Sequence, residues 1–212
     1  LEICCMHLDK GQMWIGTTTD GAYRLQLDKN ELTHPILKGN ITSIYQDSEG
    51  ELWIGSWEEG LHHVKTDGTI EIFEYDAKNP YSISSNFVRA CCEDNLGNIW
   101  IGTFNGLNRY DKSTGLFQNH TASDAQSDGL THSSIWCIVK DNQGTLWLGT
   151  YFGGVNYFNP EYEIYSRYMY SPIEKKGLSN PVVGRTIEDK DGNLWIGTEG
   201  GGLNYYNRRS EE

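Results

Sequence analysis

The sequence predicts an all-β protein, a β-propeller built from four-stranded antiparallel blades. One observation is a five-residue unit, apolar-Trp-apolar-Gly-Thr/Ser, which occurs five times with its tryptophans 39, 47, 47 and 48 residues apart. The second is that β-prone runs surround each copy, and no run reads as a long amphipathic helix. Four short strands in a repeat of about 45 residues are typical of a propeller blade, since stacked sheets bury each other's faces. The tryptophans of the units are Trp14, Trp53, Trp100, Trp147 and Trp195.

Each repeat opens with a predicted hairpin. An Asp stands six residues before the tryptophan in four copies and five residues before it in the first, and a Gly stands three residues before it in all five. Asp-x-x-Gly predicts a tight turn, because the Asp side chain caps backbone donors and Gly adopts a positive φ at no steric cost. We call the run before the turn strand A and the tryptophan unit strand B. Strands A are predicted at 3–7, 41–45, 87–92, 135–139 and 182–187.

Two further strands complete a predicted blade. Strand C begins at a Gly in every copy, and the five runs are 21–25, 60–64, 106–110, 154–158 and 202–206. Strand D is predicted in four copies, at 35–37, 72–75, 116–119 and 164–168. The whole chain, 1–212, is one propeller region with blades at 1–39, 40–85, 86–131, 132–179 and 180–212. Because the last blade lacks strand D, either the five blades close imperfectly or they are an arc of a larger ring, and we favour the second.

Charge and hydropathy restrict the partners. The net charge is −12 and the acidic residues are spread along the chain, which disfavours nucleic acid, since phosphate binding needs clustered Lys and Arg. The same charge makes a polyanionic glycan a poor ligand. The longest apolar run, 135–139, is far shorter than the ~20 residues of a membrane span, so this segment is predicted to make no membrane contact. Because the chain begins at Leu1 rather than Met, we expect a piece of a longer protein.

Cysteine and histidine do not predict a metal site. The five Cys fit no zinc spacing, and we expect small buried apolar residues. His62 and His63 are neighbours in strand C and face opposite ways, so they cannot bind one ion together. We expect one of them to be exposed and the other partly buried.

The repeats resemble a known family, the two-component regulator propeller repeat. All five copies carry its pattern, and residues 180–206 match it nearly as well as residues 86–110 do. The match in 86–110 comprises Asn86, Val88, Glu93, Asp94, Gly97, Trp100, Ile101, Gly102, Thr103, Gly106, Leu107 and Tyr110.

The resemblance implies a seven-bladed propeller in the sensor region of a bacterial hybrid two-component system. Such regions are periplasmic, are typical of gut Bacteroidetes and sense glycan breakdown products in signal transduction. The resemblance further implies downstream sensor domains, a membrane helix and a histidine kinase, with two sensor chains packed as a homodimer. Any kinase activity would then lie outside this chain, which is predicted not to be an enzyme.

A ligand site is predicted on one face of the propeller. The loops from strand B to strand C share that face with the loops from strand D to the next strand A. The residue four positions after the repeat tryptophan begins each B–C loop, and in three adjacent blades it is aromatic. Aromatic rings beside carboxylates and amides suit a neutral oligosaccharide. The candidate ligand-binding residues are Trp57, Glu58, Glu59, Phe104, Asn105, Tyr151, Phe152 and Glu199.

Other functions remain open at this point. The aromatic residues could instead cover blade edges or contact another domain, as in a propeller that serves as an interaction scaffold without a small ligand. A propeller glycosidase or lyase is a third alternative. The Asp-x-x-Gly turns are similar to sialidase Asp-boxes, but a sialidase also needs an arginine cluster. The arginines fall on different strands and offsets, so no catalytic residue, metal or cofactor is predicted: Arg24, Arg89, Arg109, Arg167, Arg185, Arg208 and Arg209.

Overall fold

The computed structural model describes residues 2–33, 35–122, 129–160, 164–170 and 177–210, and side chains throughout except at 164–166. These residues confirm an all-β propeller of five antiparallel sheets, in which neighbouring strands follow the order of the chain. The described part contains no helix long and apolar enough to cross a membrane.

Four sheets have four strands each and the fifth has three. The first sheet is β1 (Ile3–Asp9), β2 (Gln12–Thr17), β3 (Ala22–Gln26) and β4 (Glu31–Leu32). The second is β5 (Ile41–Gln46), β6 (Leu52–Ser56), β7 (Leu61–Val64) and β8 (Ile70–Phe73). The third is β9 (Val88–Glu93), β10 (Ile99–Thr103), β11 (Gly106–Asp111) and β12 (Leu116–His120). The fourth is β13 (Ile135–Lys140), β14 (Leu146–Thr150), β15 (Val155–Asn159) and β16 (Ile164–Tyr168), and the fifth is β17 (Val183–Glu188), β18 (Leu194–Thr198) and β19 (Gly202–Tyr206).

The fourth strand of the first blade is not where the sequence predicts it. The prediction placed it at 35–37, whereas β4 is Glu31–Leu32 and Leu37 forms only an isolated bridge with Ala22. Thr33 explains the interruption, because its N–H and its hydroxyl both donate to the carbonyl of Arg24 and its hydroxyl also accepts the N–H of Arg24. The Thr33 side chain thereby occupies the N–H and the carbonyl of Arg24, which would otherwise bond a longer β4 strand.

The Asp-x-x-Gly turns have the predicted chemistry. In the last four blades one Asp oxygen accepts the N–H groups two and four residues ahead, and the turn Gly has φ between 82° and 85°. The second oxygen makes a bond that the pattern did not predict: it accepts the indole N–H of the repeat tryptophan. The distances are 2.9 Å for Asp47, 2.7 Å for Asp94, 2.7 Å for Asp141 and 3.1 Å for Asp189.

Trp53 and Trp100 each pack against the blade that follows them. The ring of Trp53 lies 5.2 Å from that of Tyr110, and the ring of Trp100 lies 5.0 Å from that of Phe158. Both partners occupy the fifth position of strand C in the next blade. These indole rings therefore lie between two adjacent sheets, and their packing holds neighbouring blades together.

Both histidines of the second blade are buried, so the expectation that one would be exposed is wrong. His63 stacks on Trp53 with the ring centroids 3.9 Å apart and bonds the Glu51 carboxylate, and His62 faces the opposite layer. The reason is that a blade inside the stack has both faces covered, so opposite orientation does not lead to exposure. Burial lowers the pKa of His62.

The cysteines agree with the sequence prediction in part. Cys91, Cys92 and Cys137 are buried, Cys4 and Cys5 are half-buried, and all five are free thiols. Burial raises the pKa of Cys91 to about 12, so this thiol is not a nucleophile at neutral pH.

The Gly of each repeat unit sets how closely two blades approach. A Cβ on Gly102 would lie 2.7 Å from Cγ2 of Ile135 in the next blade, whereas a Cβ on the equivalent Gly197 would meet nothing nearer than 3.5 Å. We expect Gly102→Ala to lower the free energy of unfolding by about 1–3 kcal/mol through overpacking. Gly197→Ala, its matched control, should change it by less than about 0.5 kcal/mol. Urea unfolding measures both, and equal losses would contradict the close-approach explanation.

Candidate functional site

A cleft of about 580 Å3 lies on the axis of the propeller. The innermost strands, β1, β5, β9, β13 and β17, pack side by side in that order and form its wall. The first residues of two B–C loops, Thr18 and Trp57, also line it. The cleft therefore opens on the face that carries the B–C loops.

One β-bulge in each innermost strand brings an extra residue to this axis. Residues on either side of the bulge pair with consecutive residues of the neighbouring strand, so one residue per strand is left out of the ladder. A bulge bends the strand and redirects the extra side chain. All five extra residues line the cleft: Cys4, Thr42, Arg89, Trp136 and Gly184. Each blade thus contributes one residue to the axis, and the type of that residue differs from blade to blade.

Arg89 is held between two indole rings. Its guanidinium carbon lies 4.8 Å from the ring centroid of Trp57 and 4.1 Å from that of Trp136. Burial lowers the pKa of Arg89, but an arginine with an ordinary pKa above 12 stays charged at neutral pH, and the two π faces favour the cation.

Aromatic contacts extend from this arginine in both directions. Trp136 stacks on Tyr151 with the ring centroids 5.4 Å apart, and the Tyr151 ring lies 4.3 Å from that of Phe152. On the other side Trp57 meets Phe87, and Phe87 meets Phe104. We call this set the aromatic row: Phe104, Phe87, Trp57, Trp136, Tyr151 and Phe152.

The starts of the B–C loops are equivalent positions in all five blades. Each first residue donates its N–H to the carbonyl just before the innermost strand of its own blade, at 2.9–3.0 Å. The backbone position is shared, but the side chain differs in every blade: Thr18, Trp57, Phe104, Tyr151 and Glu199.

Only some of the predicted site residues lie at or near the axial cleft. Trp57 lines the axial cleft, whereas Phe104, Tyr151 and Phe152 lie outside it and are linked to its lining residues by the ring contacts of the aromatic row. The four polar candidates are exposed on the same loops but do not line the cleft: Glu58, Glu59, Asn105 and Glu199. Glu59 turns toward the first blade, since a Cβ on Gly39 would lie 3.0 Å from its carboxylate.

Of the residues that line the cleft, the sequence prediction named only Trp57, and those that it missed include Arg89, Trp136 and Arg185. Arg89 and Arg185 do lie on different strands, as the sequence indicates, but the innermost strands of the third and fifth blades converge on the axis, so both residues line one cleft. One signal was available in the sequence. Five of the seven tryptophans occupy the repeat position, and the two that remain, Trp57 and Trp136, are the pair that encloses Arg89.

A cluster of carboxylates elsewhere already pairs with a lysine. Ligand atoms of Asp47, Glu49 and Glu51 lie within 4.8 Å of one another, at a spacing that suits a metal ion. Lys112 of the next blade places its ammonium 3.0 Å from both Asp47 and Glu49. The cluster therefore serves as a bridge between two blades.

The comparison with family models returned the two-component regulator propeller. Four segments match: 35–58, 82–105, 129–152 and 177–200. Each runs from the loop before an innermost strand to the start of the B–C loop, and so contains the bulge, the Asp-x-x-Gly turn and the tryptophan unit. Of these elements, the bulge and the start of the B–C loop contribute residues to the axial cleft. No curated protein matches the sequence.

Several solved structures share the fold. The extracellular domain of BT3049 from B. thetaiotaomicron, described as a hybrid two-component system, is 24% identical with a TM-score of 0.76 over 96% of this chain and 26% of that one. The extracellular domain of BT4673 from the same organism is 22% identical with a TM-score of 0.76 over 96% and 27%. Virginiamycin B lyase from Staphylococcus aureus is 13% identical with a TM-score of 0.70 over 97% and 69%. This chain thus spans about a quarter of the length of the extracellular domains, and the likeness in each case is one of fold.

Proposed function

Because this chain is built from two-component regulator propeller repeats, we propose that it is a ligand-binding propeller in the extracytoplasmic sensor region of a hybrid two-component system. It would act in the periplasm as one part of a longer protein that also holds downstream sensor domains. The kinase chemistry would belong to those other parts. The extracellular domains with the same fold support this assignment.

The aromatic row beside the axial cleft carries the proposal of a saccharide ligand. Trp57 is 37% exposed at the mouth of the cleft, and Phe104 and Phe152 are exposed on either side of it. Aromatic faces pack on the C–H groups of sugar rings, and the volume of the cleft falls within the range of about 300–1,000 Å3 found for small-molecule sites. The lining among the described residues has no carboxylate and no histidine, which favours binding over acid–base catalysis.

Uncovered apolar faces on the two end blades support a longer ring. Ile3 and Met6 are exposed on the first blade, and Ile187 and Leu203 are exposed on the fifth. Their counterparts inside the stack are covered: Ile41 is equivalent to Ile3, and Leu107 is equivalent to Leu203, and both are buried. We therefore propose that further blades, seven in all as in the family, cover these faces.

A rigid site can signal through a change in packing. The loops that hold the aromatic row are fixed by backbone bonds to their own blades, so a ligand in the cleft would contact several blades at once. If the sensor chains pair as a homodimer in two arrangements, a ligand shifts the balance by as much as its affinities for the two arrangements differ.

Trp57→Ala is expected to weaken the binding of a neutral oligosaccharide about tenfold or more, because it removes the exposed ring at the mouth of the cleft. Titration calorimetry with a panel of neutral oligosaccharides measures the affinity. Trp195→Ala is a matched control, since Trp195 is 36% exposed but lies on the outer face of the fifth blade. A loss of affinity in Trp195→Ala alone would move the site away from the cleft. Failure of the folded protein to bind any saccharide would favour the interaction scaffold.

A further inference from the structure

We propose that the axial cleft binds the carboxylate of an acidic sugar unit, with Arg89 and Arg185 as its recognition groups. This inference rests on the proposed saccharide-binding function and specifies the chemical class of the ligand. The uronic acids, whose ring resembles that of a neutral sugar but carries a carboxylate at C6, have this chemistry.

Arg89 offers donors that nothing in the described chain accepts. Its guanidinium makes no hydrogen bond or ion pair with a described residue, and its Nε is buried without a partner. The rings of Trp57 and Trp136 lie 4.8 Å and 4.1 Å from the guanidinium carbon and so restrict the directions from which an acceptor can approach. The N–H groups of arginine lie in the plane of the guanidinium and match the two oxygens of a carboxylate.

Arg185 is a second arginine that lines the cleft, at the edge that the cleft shares with the outer face of the fifth blade. It directly follows Gly184, the bulge residue of the fifth blade, which contributes no side chain of its own to the axis. Arg185 is exposed and has no carboxylate partner in the part of the chain that the structure describes. A ligand can therefore reach it without displacing an internal ion pair.

Acidic residues outnumber basic ones in the chain, with 29 Asp and Glu against 17 Lys and Arg, but no acidic residue lines this cleft among the described residues. Three cations elsewhere do pair with carboxylates: Lys65 with Glu71, Lys112 with Asp47, and Arg208 with Asp141. Two arginines that share a cleft without a described acid leave positive charge there for a ligand to neutralise.

The overall charge limits how acidic this ligand can be. A chain with a net charge of −12 repels polyanions at long range, whereas a single carboxylate in the cleft interacts chiefly with the arginines that line it. The neighbouring rings of Trp57 and Trp136 can pack on the sugar that carries the carboxylate. A saccharide with one uronic acid unit meets both conditions.

Three pairs of free sugars that differ only at C6 test the inference: glucuronate with glucose, galacturonate with galactose, and mannuronate with mannose. Calorimetry of the protein should show at least one uronate binding about tenfold or more tightly than its neutral partner, as expected for a charge-assisted bond. Arg185→Gln and Arg89→Gln should each remove that preference. Arg24→Gln is the matched control, because Arg24 also lies over an indole, that of Trp14, and also has an unpaired Nε, but it lines a different cleft.

The outcomes separate this inference from the broader proposal. Equal binding of uronates and neutral sugars, or an undiminished preference in both folded arginine variants, would overturn the carboxylate assignment and leave the sensor proposal standing. Binding of none of the six sugars would also overturn the inference, while the panel of neutral oligosaccharides decides the sensor proposal. Thermal unfolding of each variant establishes that it is folded.

Discussion

Trp53→Ala is expected to lower the free energy of unfolding by about 3–5 kcal/mol, the range found when a large aromatic side chain is removed from a core. Trp53 is 0% exposed and lies between its own blade and the next. It stacks on His63, contacts Tyr110 of the following blade and donates its indole N–H to Asp47. The substitution therefore opens a cavity between two blades and leaves a buried carboxylate short of a donor.

Trp195→Ala provides the matched control for this result. Trp195 occupies the same repeat position and donates to Asp189 in the same way, but it is 36% exposed because the described chain places no blade beyond it. We expect a loss of less than about 1.5 kcal/mol, since no closed cavity forms. Urea unfolding followed by tryptophan fluorescence measures both variants. Equal losses would show that the indole stabilises its own hairpin rather than the contact between blades.

The repeat predicted the fold because it encodes local structure and burial together. Asp47 and Gly50 define a turn, and Trp53 with Gly55 defines a strand that must lie against another sheet. Five copies in phase leave little choice of architecture. The pattern could not show the early end of the ladder at Leu32, because that depends on the hydrogen bonds of the Thr33 side chain to Arg24.

The candidate site was predicted only where it lies on the loops. Trp57 was identified from its offset to the repeat tryptophan. Arg89 and Trp136 lie in runs that read as ordinary strands, and alternation in a strand assigns each residue to one face or the other. A bulge breaks that alternation, and only the pairing of the strands reveals it. Arg89 and Arg185 are also far apart in the sequence and lie in different blades, so the sequence did not predict that both line one cleft.

The repeat positions and the bulge position have different roles in this chain. The Asp, Gly and Trp positions are nearly the same in every blade because they hold the blades together. The bulge position differs in every blade, where it is Cys, Thr, Arg, Trp and Gly in turn. The axis is thus the part of the scaffold where side chains can change without loss of packing between the sheets, which is a suitable place for ligand specificity.

Asp47→Ala is expected to lower the free energy of unfolding by about 2–4 kcal/mol, because it removes one side of a buried charge network. The side chain of Asp47 is fully buried and accepts the N–H groups of Glu49 and Glu51, the indole of Trp53 and the ammonium of Lys112. Its loss uncaps the turn and removes one of the carboxylates that hold Lys112, which bridges from the next blade. Asp189→Ala should cost less, since Asp189 has the same turn bonds and no lysine or arginine partner among the described residues.

The difference between wild type and Asp47→Ala is expected to shrink as the pH falls. Burial alone would raise the pKa of Asp47, but hydrogen bonds from Trp53 and Lys112 outweigh it and hold the pKa below its ordinary value. Because the unfolded chain takes up this proton more readily than the folded one, the stability that the carboxylate provides is complete above the ordinary pKa of about 3.9 and is lost as the pH falls through the folded value. Urea unfolding of both proteins at pH 7 and at successively lower pH measures the difference. If the difference in the free energy of unfolding stays constant down to the acid unfolding of the wild type, the turn cap made by Asp47, and not its ionised carboxylate, stabilises this contact between blades.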